Sequence, residues 1–112
     1  MSARVETRLW LLQRASAGVL AVCVAVHLAT IILAMRGGLT AEAILGRTHG
    51  SVAWAAFYAV FVLAVAIHAP IGLRSIAGEW LGWRGRVRDA AMVLFGIALL
   101  ALGGYAIVAV IR

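Results

Sequence analysis

Long uncharged apolar stretches recur three times along the chain, separated by short polar segments. The first runs from about Leu9 to Met35, and its wholly uncharged part, residues 15–35, is 21 residues long. A hydrocarbon core of about 30 Å is crossed by about 20 helical residues. Arg36-Gly37-Gly38 ends this stretch, and a polar loop with Thr40, Glu42, Arg47 and His49 follows. The second stretch runs from about Ser51 to Leu73 and holds one ionisable residue, His68, and the only proline, Pro70. That proline removes a backbone donor and crowds the carbonyl of Ala66, which predicts a kink near His68. A charged loop with Arg74, Glu79, Trp80, Trp83, Arg84, Arg86, Arg88 and Asp89 comes next. The third stretch runs from about Ala90 to Ile111. It carries Gly96 and Gly103 seven apart on one helix face, where small residues let helices approach closely.

The pattern predicts an all-α membrane protein with three transmembrane helices, at about 9–35, 51–73 and 90–111, forming one domain over residues 1–112. Composition agrees. The 112 residues are 65% apolar and 12% charged, where a soluble domain carries about a quarter charged residues. The first stretch is too long for a signal peptide and has two further spans behind it, so it reads as a retained helix. Cys23 is the single cysteine and lies within an apolar run.

The net charge of +6 comes from ten arginines. They flank the apolar spans, so topology explains them and nucleic acid is not implied. Arg4, Arg8, Arg14, Arg74, Arg84, Arg86 and Arg88 fall on one side, against Arg36, Arg47 and Arg112 on the other. The positive-inside rule places the N-terminus and the second loop in the cytoplasm. Both ends of the chain are expected in water.

Two histidines fall inside spans, His27 and His68. An ionisable residue in the membrane is a functional hypothesis by default, and imidazole is a common axial ligand of haem iron. The plainer reading is a buried histidine bonded to a carbonyl or hydroxyl of a neighbouring helix. The two differ in depth by roughly 15 Å along the membrane normal at 1.5 Å per residue, too far to clasp one haem between them. His49 reads as a solvated interfacial residue. Gly72 lies one turn below His68 on the same face, where a flat porphyrin or a closely packed helix needs a missing side chain. Arg74 follows where a haem propionate or quinone head group would emerge, or where a simple interfacial anchor would sit. Glu79 is expected beyond the helix end.

His68-x3-Gly72-Leu73-Arg74-x4-Glu79 resembles the second-helix signature of the membrane-anchor subunits of succinate dehydrogenase and fumarate reductase, with Glu79 where Asp is more usual. Gln13-Arg14-Ala15-Ser16-Ala17-Gly18 is similar to the His-Arg-x-[Ser/Thr]-Gly of the family's first helix. There Gln13 replaces the His, Gly18 is displaced by one residue, and Trp10 stands where an upstream Ser is usual. The resemblance implies haem b with His68 as an axial ligand. It implies Arg14, Ser16 and Arg74 near a quinone or the propionates, and His27 as the axial ligand of a second haem in two-haem members. It implies a flavoprotein subunit, an iron–sulfur subunit and a second membrane-anchor subunit or further copies of this chain. The complex would be a succinate:quinone oxidoreductase, with no activity from the isolated chain. Arginine-only basic usage suggests a GC-rich bacterium, hence a multi-pass protein of the bacterial cytoplasmic (inner) membrane. The alternatives are a small transporter or a cofactor-free structural subunit. The first is disfavoured because Glu6, Glu42, Glu79 and Asp89 all lie outside the spans, and ion-coupled transporters usually need an intramembrane carboxylate.

Overall fold

The structure, a computed structural model, describes residues 2–112. They form α1 (Ala3–Gly37), α2 (Ala41–Thr48), α3 (Val52–Trp80) and α4 (Arg86–Ile111), with no strand among the described residues. α1, α3 and α4 are each long and apolar enough to cross a membrane, so the all-α, three-span architecture holds. The longest axis measures 49 Å, against about 40–45 Å for a bilayer with its headgroup layers.

Each spanning helix outruns its apolar stretch. Ser2 caps α1 by accepting from the Val5 N–H, which places Arg4, Glu6 and Arg8 on the helix. α3 does not stop at Leu73. Only Gly78 weakens the helix before Gly82, whose φ of +65° suits glycine, and the Trp83 N–H returns to the Ala77 carbonyl. Glu79, expected beyond the helix end, therefore sits in the last turn of α3. α4 starts at Arg86, just after Gly85. The apolar pattern marks what crosses hydrocarbon, whereas backbone hydrogen bonding carries a helix on into the headgroup layer.

The expected loop between the first two spans contains α2. Thr40 caps it, its side chain accepting from the Ala43 N–H at 3.1 Å, and Glu42 favours the positive end of the helix. α2 and the turn after it cover the end of α4. Thr48 Oγ1 donates to the Val110 carbonyl at 2.6 Å, the Gly50 N–H donates to Ile111 at 2.7 Å, and His49 Nδ1 lies 3.1 Å from the Arg112 carbonyl. Those terminal carbonyls have no partner within their own helix. His49 is exposed, as expected, but it also serves as a cap.

α3 packs against both α1 and α4. Apart from Arg88, the buried positions are small or slender, among them Ser16, Cys23, Ala64, Ala77 and Met92. A Cβ added at Gly96 would lie 3.2 Å from the Ala66 carbonyl oxygen and 3.3 Å from Pro70 Cγ. Ala66 is the carbonyl that Pro70 deprives of its helical donor, and the missing side chain at Gly96 lets α4 close over it. A Cβ at Gly103 would overlap the Val62 side chain. Both glycines thus serve close approach to α3. No large side chain is fully buried among the described residues. Few residues in the apolar stretches of α1, α3 and α4 are buried within the chain, so lipid or another membrane chain must cover them.

Candidate functional site

α1 and α3 run antiparallel, and their facing polar residues meet in layers. From the arginine-rich end these are Glu6 with Arg74, Gln13 with Gly72, Ser16 with His68, and His27 with Tyr58 and Phe61.

The third layer joins the two motifs picked out separately in the sequence. Ser16 Oγ lies 3.3 Å from His68 Nδ1 and 3.1 Å from the Gln13 carbonyl. Helical geometry makes the pairing possible, because residues three and four apart share a face. Gln13 and Ser16 line one side of the seam, and His68 and Gly72 the other. Ser16 is 6% exposed, so water hardly competes for its hydroxyl.

Gly72 provides the gap anticipated for it, and the Gln13 side chain fills it: a Cβ at Gly72 would lie 3.0 Å from Gln13 Nε2. Gln13 Oε1 is buried and has no hydrogen-bond partner. An unmet buried polar atom beside an intramembrane imidazole marks a place where a donor from outside the chain would be welcome.

Arg74 is engaged at 3.0 Å by both Glu6 and Asp89, which ties α1, α3 and α4 together. Asp89 also accepts from the buried Arg88 at 2.9 Å. Arg84 donates to the Gly78 carbonyl at 3.3 Å, and Arg88 Nη1 lies 3.5 Å from the Trp83 carbonyl. These arginines cover the carbonyl end of α3, where cations are favoured. Gly78 makes room for them, because a Cβ there would lie 3.0 Å from Arg88 Nη1. Arg14 stands apart from this cluster, exposed, with its guanidinium 5.3 Å from the Trp10 ring centre.

His27 belongs to the other half of the seam. It makes edge contacts with Tyr58 at 6.0 Å and Phe61 at 5.5 Å between ring centres, within a cluster that includes Trp54 and Phe57. Its Nδ1 is buried without a partner. Cavities of about 250 and 390 Å³ flank it, lined chiefly by α3 and α4. Phe61 and Tyr58 lie seven and ten residues along α3 from His68. The two imidazoles are therefore separated by about 10–15 Å along the helix, in keeping with the depth difference read from the sequence. The aromatic surround of His27 was not anticipated. Its signal is the spacing Trp54, Phe57, Tyr58, Phe61, which is one helix face.

Fold and site together define a small multi-pass membrane subunit whose polar residues gather along a helix–helix seam. The family model described as "succinate dehydrogenase/fumarate reductase transmembrane subunit" matches residues 1–105. The chain belongs to that family, and its role as a membrane subunit of those complexes follows. No curated protein and no solved structure gives a match.

Proposed function

We propose that this chain binds haem b through His68 and helps form a quinone site at its arginine-rich end, as the membrane anchor of a succinate dehydrogenase or fumarate reductase complex. The observation that carries this reading is the Ser16–His68 contact at 3.3 Å. It brings the Arg14-x-Ser16 and His68-x3-Gly72 motifs to one place within the apolar spans. A metal-ligating histidine almost always has its other ring nitrogen held by a hydrogen-bonding group, and Ser16 meets that requirement for His68. Haem bound there would supply a one-electron carrier inside the membrane.

The chain's own residues have distinct tasks in this reading. Arg14, free of any acidic partner in the described contacts and steadied on Trp10, would bond a quinone carbonyl or a propionate. Arg74 would reach the same groups only by exchanging Glu6 or Asp89. His27, with Nδ1 unmet, would serve as the axial ligand of a second haem toward the far end. The whole of residues 1–112 acts as one membrane domain, with the arginine-rich end in the cytoplasm of a bacterium. There it would meet an iron–sulfur subunit that receives electrons from, or passes them to, a flavoprotein subunit. A second membrane subunit or further copies of this chain would cover part of the bare faces of the spans and complete the haem pocket.

In the purified complex, His68→Ala removes a b-type reduced-minus-oxidised difference band while the subunits still copurify. An unchanged band would overturn the ligand assignment and leave His68 as a packing residue bonded to Ser16.

A further inference from the structure

Ser16 has one hydroxyl proton and two neighbours within reach of it. The Gln13 carbonyl, 3.1 Å away, can only accept. His68 Nδ1, 3.3 Å away, can accept or donate according to its tautomer. If Ser16 gave its proton to the imidazole, its oxygen would face the carbonyl lone pair against lone pair. Both contacts are favourable in one arrangement only. Ser16 donates to Gln13, a back-bond common for serine in helices, and the His68 Nδ1–H donates to Ser16. A neutral imidazole has a single N–H. Nε2 then carries the free lone pair.

We infer that Ser16 is a positioning residue that locks His68 in its Nδ1–H tautomer and presents Nε2 as the ligating nitrogen. It does not bond the quinone itself. The consequence for haem rests on the reading above; the tautomer does not. A hydroxyl oxygen accepting from Nδ1–H also makes the imidazole a stronger donor to iron. Such a ligand stabilises the ferric state and holds the haem potential down. Threonine keeps this capacity, because its hydroxyl bonds the same helical carbonyls, whereas alanine leaves Nδ1 without its acceptor.

Two measurements test the inference. In the full chain reconstituted in nanodiscs without haem and labelled with 15N-histidine, the His68 ring shifts report the tautomer directly. They are expected to show Nδ1–H in the wild type and in Ser16→Thr, and a shift toward Nε2–H in Ser16→Ala. A wild-type His68 found as Nε2–H overturns the inference whether or not the protein binds haem. In the assembled complex, Ser16→Ala is expected to keep its haem but to show a raised midpoint potential and an altered ferric resonance signal, with Ser16→Thr close to wild type. An unchanged potential together with a raised KM for quinone would instead make Ser16 a direct quinone contact. Absence of haem from the wild-type complex would sink the functional reading, and the nanodisc measurement would still decide the tautomer.

Discussion

The two halves of the α1–α3 seam treat their polar atoms differently. Toward the arginine-rich end, Glu6, Arg74, Asp89 and Arg88 satisfy one another, and His68 is held by Ser16. Toward the far end His27 sits among aromatic rings with a buried nitrogen that nothing meets. Unmet buried polar atoms cost about 1–3 kcal/mol each, so they persist where something outside the chain completes them. The first half is preorganised by the chain itself except at Gln13, whose buried Oε1 is also unmet. The second is built of packing, and it waits on what a ligand or a companion helix brings.

That contrast can be broken at several points. The largest effect is expected from the histidines taken as a pair. His68→Ala removes the haem at the arginine-rich half, and His27→Ala removes a second, spectrally distinct haem while sparing the first. Pyridine haemochrome counting on both variants checks this. A full haem complement in His27→Ala would reduce that residue to a member of the aromatic cluster. Next comes Arg14→Ala, where loss of a charge-assisted bond lowers quinone reduction about tenfold or more. Succinate oxidation by an artificial acceptor stays intact, and a matched fall in both activities would indicate failed assembly instead.

Packing effects are smaller. Gly103→Ala drives a methyl into Val62 and is expected to cost about 1–3 kcal/mol, as overpacking does. Gly104→Ala, with nothing within 4 Å, is its neutral control in the same thermal unfolding series. Smallest is Glu6→Gln. Its carboxylate side chain is 52% exposed, and such pairs contribute about 0–1 kcal/mol. A shift in melting temperature larger than that of Gly103→Ala would show the Arg74 cluster to be more tightly coupled than its exposure implies.

The three spans were legible because lipid demands an uninterrupted apolar run, and Gly96 and Gly103 announced the face of α4 that meets α3. The helix ends were not, because hydropathy falls where the hydrocarbon ends while the helix itself continues. The same cause misplaced Glu79 beyond α3. It also hid the role of Asp89, since an acid read as a loop charge gives no hint that Arg74 will claim it. α2 lay behind the capping pattern of Thr40 and Glu42, too short to stand out by periodicity. His68 and Ser16 were each singled out, yet their contact depends on the register of two antiparallel helices, which no single stretch of sequence encodes. Gln13 shows the limit most clearly. Its position matched a family motif with the wrong residue, and only the fold shows that its amide fills the gap at Gly72.

Whether His68 holds haem is decided by a dithionite-reduced minus oxidised spectrum of the intact complex purified through this chain, with a pyridine haemochrome assay for stoichiometry. A b-type band and at least one haem for each copy of the chain are expected. An assembled complex with flavoprotein and iron–sulfur subunits present and no haem would leave His68 a packing residue bonded to Ser16.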